Sequence, residues 1–528
     1  MLQIFCFASV LLYSKGVGMN ATENKGLCNK CKELVPAHHS QKGERVYLVK
    51  TCPDCGESET LISTDARRYF SKRCLDSDGD SGSCMLNCLE CRHRNPNILF
   101  VDVTNRCNLN CPICINNTPS MGMLFEPPIE YFDKIFKHFS RLNPKPSVQL
   151  FGGEPTVRKD LFDIVKMCRD YGLPTRVNTN GVKLADEEYC RDLVATRATV
   201  LISYDGSNRE MYSLLRARPE LLEVKEKAID NLAKNDTAKV VIMHLVACGL
   251  NDKTLPDLYA FCHDRRNVIR GLYLMPLAET FSKDKIDVEV ERITTEDLER
   301  IFNNSFPEDR IDFIPAGFLG QMATHFKSLR VKALPFLGAH PNCESLYLLV
   351  SDGKQYVPLS RYLKGTTPDL CKSLLTAEKN LIARLARFDN SKTGRFMEKL
   401  KLKKSMVFLF AFISLARVMW RNIDYRKVFK GKGLGRLWHI ASLLGGLFIR
   451  SKTSRLLEKH TNFQAILQII VLPFEDDENL ETDRLKRCPA AFAFYDPAED
   501  KVGHIPVCAW GHFKDTVMHR IVDYYKTH

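Results

Sequence analysis

No apolar run in this 528-residue chain reaches the roughly 20 residues that a helix needs to cross a bilayer. The longest, Ser405–Trp420 and Leu437–Ile449, hold 16 and 13 residues, which excludes a helical span. Leu2–Tyr13 (LQIFCFASVLLY) is shorter still, and no basic residue precedes it, so it does not read as a signal peptide. With a second methionine at Met19, residues 1–18 are expected to be a dispensable leader. Acidic residues are scarce in one place. Lys379–His460 carries 4 Asp+Glu against 20 Lys+Arg, a net of +16 in a chain whose total is +13. The remainder is therefore slightly acidic, and the basic character describes a surface with a partner rather than general solubility. Cysteine, by contrast, is plentiful: 20 residues, the early ones in short-spaced groups. Such grouping predicts metal ligation and a reducing cytoplasm.

The first group is Cys28-x2-Cys31 and Cys52-x2-Cys55. Two such knuckles bridged by a hairpin make a tetrahedral four-thiolate site for zinc or a mononuclear, rubredoxin-like iron. His38 and His39 lie between them and are expected in a solvent-facing loop, since four thiolates already fill the site. After a Gly/Ser/Asp-rich linker comes Cys84-x3-Cys88-x2-Cys91. These three predict an auxiliary cluster, with Cys74 or a distant cysteine as fourth ligand; structural zinc is the other chemistry they suit.

The chain is organised around Asn97–Cys114 (NILFVDVTNRCNLNCPIC). Ile98–Val103 predicts a buried strand running into Cys107, Cys111 and Cys114. Three thiolates on one loop can hold three irons of a cubane, leaving the fourth open to a small molecule. A zinc knuckle would need a fourth ligand close by. Strands then alternate with helical stretches up to about residue 279, each strand ending in a polar motif: Gly152-Gly153-Glu154-Pro155, Asn178-Thr179-Asn180-Gly181, Ser203-Tyr204-Asp205-Gly206 and Gly249-Leu250-Asn251. Six βα units of this kind predict a parallel sheet curled into a barrel or part of one, with its chemistry at the C-terminal ends of the strands. Gly152 and Gly153 admit close backbone approach, and Glu154 can accept from an ammonium group. Asn178, Thr179, Ser203 and Asp205 suit a ribose or a carboxylate, or cap helices.

Beyond this sheet, Ser351–Tyr362 predicts a hairpin at Asp352-Gly353, and the two apolar runs of the basic stretch predict helices lying in a membrane interface, with core helices as the alternative. The long apolar centres argue against nucleic acid. Cys343, Cys488 and Cys508, with Cys371 as a further candidate, either complete a second auxiliary cluster or are core residues.

The cysteine loop, with GGEP about 38 residues beyond it, resembles the radical S-adenosylmethionine (SAM) superfamily, and the order of modules resembles the tetraether and membrane-spanning lipid synthases within it. The resemblance covers residues 26–280 well and the C-terminal part loosely. It implies an α/β fold: a radical SAM partial (β/α)6 barrel with an N-terminal cysteine-rich metal-binding module and a C-terminal cysteine-containing α+β extension. The implied divisions are a leader (1–18), a four-cysteine module (19–75), a connector (76–96), the barrel (97–285), an accessory region (286–378), a basic apolar insert (379–460) and the C-terminal region (461–528). The implied cofactors are SAM, a [4Fe–4S] cluster on Cys107, Cys111 and Cys114, one or two auxiliary [4Fe–4S] clusters, and mononuclear iron or zinc. GGEP is similar to the superfamily's SAM-amine motif, and the Gly249-x-Asn251 turn to one that lies against adenine. The implied reaction is one-electron cleavage of SAM, by an electron from a donor such as ferredoxin or flavodoxin, to a 5′-deoxyadenosyl radical. That radical removes hydrogen from an unactivated carbon and leads to C–C joining of lipid chains by an enzyme peripheral to the inner face of the membrane. Pterin methylation is the alternative within the superfamily, and an iron–sulfur electron carrier the alternative outside it.

Overall fold

Six strands appear where the apolar runs place them: β5 (Ile98–Thr104), β6 (Ser147–Gly152), β7 (Thr175–Thr179), β8 (Thr199–Ser203), β9 (Val240–Val246) and β10 (Ile269–Pro276). The computed structural model describes residues 24–75, 94–116, 121–277, 291–329, 336–448 and 453–527. Each strand pairs in parallel with the next in sequence, and helices such as Ile129–Phe139 and Leu161–Asp170 connect them. β5 is buried at every position, as expected of a strand covered on both faces.

The C-terminal region does not form a separate extension. It supplies β14 (Ile466–Val471), parallel to β10 on one side of the six, and β15 (Ala490–Asp496), parallel to β5 on the other. Both are mostly apolar, as suits strands that are paired and covered. β16 (Lys501–Pro506) closes a hairpin on β15, and β12 (Ser345–Ser351) lies antiparallel to β14. The hairpin at Asp352-Gly353 forms between β12 and β13 (Tyr356–Pro358).

The N-terminal module is a four-stranded antiparallel sheet, β1 (Lys25–Leu27), β2 (Leu34–Lys42), β3 (Arg45–Cys52) and β4 (Gly56–Ser63). It docks on the segment after β14. Lys50, fully buried, donates to Asn29 and to the Glu478 carbonyl. His38 and His39 are strand residues rather than loop residues, and His39 bonds Glu481 at 2.7 Å. Their strand continues because it pairs with β3, His38 opposite Val49 and His39 opposite Leu48. The helix that follows, Ala66–Arg73, is pinned by Lys72, whose ammonium lies 2.6 Å from Glu296 and 2.8 Å from Glu299.

The described residues of both apolar runs in the basic stretch are helical, within Lys403–Asn422 and Gly433–Phe448. The first packs on the helix Thr367–Asn390 through Phe410, which meets Phe388 edge-on and Arg384 at 4.0 Å. It is not a core helix, for only Ala411 and Val418 are buried. Among the described residues no helix is long and apolar enough to cross a membrane. Residues 1–18 and the connector cysteines Cys84, Cys88 and Cys91 lie outside the described residues.

Candidate active site and metal centres

The cysteine loop leaves the end of β5 and is clasped by the end of β6. Gly153 N–H donates to the Thr104 carbonyl at 2.7 Å, and Glu154 N–H to the Arg106 carbonyl at 2.8 Å. The approach is so close that a Cβ on Gly152 would lie 2.2 Å from the Thr104 oxygen, and one on Gly153 would lie 2.2 Å from that of Arg106. Gly152 also holds φ at +124°, a region side chains disfavour. Gly152 therefore needs glycine for both contact and conformation, and Gly153 for contact alone.

Glu154 is buried and bonded throughout. It accepts from the Thr156 hydroxyl at 2.7 Å, the Thr179 hydroxyl at 2.7 Å and the Asn180 amide at 2.6 Å. Burial pushes its carboxyl upward against these donors. Its oxygens hold the ends of β6 and β7 together, so any bond to an ammonium group comes in addition to that clasp.

Cys107, Cys111 and Cys114 open onto a cavity of about 290 Å³ with Gly152, Gly153, Glu154, Pro155, Asn178, Thr179, Asn180 and Ser203. All three thiols are free, and burial pushes Cys107 up to about 11. Asn178 Oδ1 is buried in that wall with no hydrogen-bond partner, an orphaned acceptor of the kind a cofactor hydroxyl or amine satisfies. The free triad, the glycine cradle and this acceptor fit a cluster with SAM upon it.

Three residues expected at the cofactor, Gly249, Asn251 and Asp205, do not line the cavity. Asn251 spends its side chain on its own turn, accepting from Ala247 N–H at 2.9 Å and donating to the Leu245 carbonyl at 2.7 Å. Neither it nor Gly249 lines the cavity. Asp205 lies behind the wall in a two-point pair with Arg216 at 2.8 and 2.9 Å. Burial opposes its ionisation, but the Arg216 and Lys225 charges hold it below the usual carboxylate range. Arg216, a residue sequence reasoning missed, reaches the cavity and Cys111. Only its position at the end of the helix Arg209–Arg216, itself just after β8, could have singled it out.

The ribbon sulfurs of Cys28, Cys31, Cys52 and Cys55 lie within 4.8 Å of one another, with Cys31 and Cys52 at 3.8 Å. Four sulfurs each about 2.3 Å from one ion stand about 3.8 Å apart, so the geometry fits a single tetrahedral metal. Among the described residues no other three donors come so close. Cys74 ends the helix Ala66–Arg73 and is disulfide-bonded, so it ligates a metal only once reduced.

The fold places Cys343, Cys488 and Cys508 in one corner, linked through Arg484 and Glu475 and not clustered as tightly as the ribbon sulfurs. Cys488 and Cys508 line the same cavity as the triad. Arg484 donates to Cys343 at 3.4 Å, and Glu475 N–H reaches Cys508 at 3.5 Å. Arg484 also lies 2.9 Å from Glu475 Oε1, although its N–H points at Cys343 and leaves that oxygen without a hydrogen bond. Beside them Glu344 has a buried, unpartnered Oε2, and burial raises its carboxyl to about 7. Cys371 belongs elsewhere, packed in the core against Leu75 and Phe318.

Comparison with known proteins agrees with this geometry. The Radical SAM superfamily family model matches residues 101–262, and an HMPTM N-terminal zinc ribbon domain matches 22–64. The 7,8-dihydro-6-hydroxymethylpterin dimethyltransferase of Methanocaldococcus jannaschii is 30% identical over 64% of this chain and 70% of its own length. A probable GTP 3′,8-cyclase of the same organism is 25% identical over 42% of this chain and 73% of its own. A crystal structure of Streptococcus suis SuiB bound to S-adenosylmethionine aligns with a TM-score of 0.33 at 18% identity, over 40% of this chain and 46% of that one, a likeness too slight to weigh. Since a relative is matched across most of its own length, and the superfamily model begins within β5 and runs on past β9, the chain belongs to the radical SAM superfamily: it is a radical SAM enzyme, with SAM and a SAM-binding [4Fe–4S] cluster as cofactors.

Proposed function

We propose that this enzyme removes hydrogen from an unactivated carbon of a lipid hydrocarbon chain and joins two such chains through a new C–C bond. The observation that carries the reading is the cavity wall. Past the cofactor-facing residues it is mainly apolar, formed by Leu201, Met243, Leu245, Met275, Phe336 and Leu472 among others, with Gln149, Arg176 and Glu344 as polar exceptions. An apolar wall binds a hydrocarbon without asking for polar partners. Bound SAM and its cluster supply a 5′-deoxyadenosyl radical. The chain's own residues position the cofactor through Gly153 and Asn178, place the Arg216 charge beside Cys111, and keep water from the reacting carbon. Cys343, Cys488 and Cys508 are proposed to hold an auxiliary cluster on the far side of that cavity.

A second reading, methylation of a pterin, is favoured by the name of the Methanocaldococcus relative and by the zinc-ribbon match. The unpartnered Glu344 oxygen is an acceptor that a pterin amino group would satisfy.

One experiment separates them. Total lipids from cells expressing the wild type and Cys107→Ala are compared by mass spectrometry, and the purified enzyme is incubated with 7,8-dihydro-6-hydroxymethylpterin. Coupled chains, two hydrogens lighter per new bond and seen only with the wild type, are expected. A methylated pterin with unchanged lipids would overturn the lipid reading. Cys107→Ala should form no 5′-deoxyadenosine.

A further inference from the structure

Twelve large hydrophobic residues are exposed among those described, and nine of them fall between residues 379 and 460. They include Leu400, Leu402, Trp420, Leu434, Leu437 and Trp438, with Leu434 at 85% exposure. Monomeric soluble proteins scatter such residues singly, so their concentration in one stretch marks a contact surface. The same stretch holds the net charge of +16. Among its described residues, Lys403 is the only cation in an ion pair, with Asp389 and Glu398. The other described cations of the stretch have no carboxylate within ion-pair distance among the described residues. Trp420 stacks flat on Tyr425 with centroids 4.8 Å apart, and Lys364 lies 5.3 Å from that tyrosine ring, so aromatic and ammonium groups sit side by side.

We infer that the helices Lys403–Asn422 and Gly433–Phe448 form a docking surface for an anionic lipid bilayer, lying in its interface and not crossing it. Charge complementarity selects this occupant. Unpaired cations answer anionic headgroups, the exposed Trp residues suit the headgroup level, and the Leu residues reach the acyl boundary. A nucleic acid would use the cations but leave Leu434, Leu437 and Leu402 in water. A protein partner would have to cover both features at once.

The inference takes up the lipid reading above, but its test needs neither SAM nor substrate, so the two can fail separately. Full-length, metal-loaded protein is mixed with vesicles of phosphatidylglycerol and phosphatidylcholine, or of phosphatidylcholine alone, and co-sedimentation is measured against salt. Binding to the anionic vesicles is expected, at least tenfold tighter than to the neutral ones and weakened by salt. The double variant Leu434→Glu/Trp438→Glu should lose tenfold or more, and so should Lys401→Glu/Lys404→Glu, both keeping the wild-type melting curve and ribbon metal. The chain has three tryptophans, and Trp510 is buried, which makes it an internal control. Brominated lipid should quench Trp420 and Trp438 and spare Trp510. Absence of binding to anionic vesicles, equal binding by both variants, or concentration-dependent self-association that hides the two tryptophans without lipid would each overturn the inference.

Discussion

Gly153 sits so tightly against Arg106 that a methyl group on its Cα would lie 2.2 Å from the Arg106 carbonyl oxygen. Backbone, not a flexible side chain, blocks that space, so Gly153→Ala must push the cysteine loop away from the end of β6. Overpacking of this kind costs about 1–3 kcal/mol. The expected outcome is a folded protein that retains its ribbon metal but loses most of the iron bound by Cys107, Cys111 and Cys114. Iron per chain and visible absorbance after anaerobic reconstitution check it; an unchanged iron content would contradict the clasp.

Arg216 brings a positive charge to the cavity beside Cys111, and Asp205 holds it there at two points. Charge-assisted hydrogen bonds to a carboxylate contribute about 1.5–3 kcal/mol. Arg216→Gln is therefore expected to weaken SAM binding by about tenfold or more while cluster content stays normal. Asp205→Asn should give a smaller loss of the same kind, because it frees the guanidinium without removing it. Equilibrium dialysis with SAM, alongside iron analysis, distinguishes these outcomes from loss of the cluster.

The six-stranded core and its cysteine loop were legible because both are local signals: short apolar runs ending in polar motifs, and three thiols at fixed spacing. GGEP was legible for the same reason. For Asn251 the sequence could not choose, because an asparagine after a strand has a local alternative, bonding its own turn, that looks the same in sequence as a ligand contact. Arg216 was invisible because a long side chain on a later helix reaches the site only through tertiary packing. The places of β14 and β15 were hidden as well. Each lies more than 190 residues from its parallel partner, β10 or β5, and no local pattern specifies such a pairing. Cys343, Cys488 and Cys508 could thus be named from sequence but not brought together.

Lys72 has no solvent exposure, and its charge is answered by Glu296 and Glu299. Burial works against the Glu299 carboxylate, but Lys72 and Arg68 hold it down to about 2. Since its value in an unfolded chain is about 4.3, the folded state gains from this group at neutral pH and loses that gain as pH falls from about 4.3 toward 2. Glu299→Gln leaves the buried ammonium half-answered and should cost about 3 kcal/mol at neutral pH. The gap between wild type and variant in urea melts should shrink as the pH drops below about 4. A gap that stays constant would mean the carboxylate is not the source of the stability.

Cys488 and Cys508 share one cavity with the triad, and Cys343 joins them through Arg484. Burial pushes the Cys488 thiol up to about 12 and the Glu475 carboxyl up to about 8, so this corner without a metal gathers reluctant anions around one guanidinium. A cluster would use the thiolates and leave Arg484 to answer the charge of Glu475. The double variant Cys488→Ala/Cys508→Ala should lose about four irons per chain. The triad should keep its own cluster, and 5′-deoxyadenosine should still form when a reductant is supplied. What should vanish is the coupled product, because hydrogen removal then proceeds with nothing to hold the first carbon radical until the second chain is ready. Iron and sulfide analysis, with nucleoside and lipid products measured on the same preparation, gives the answer; full iron content in the variant would leave these cysteines as core residues.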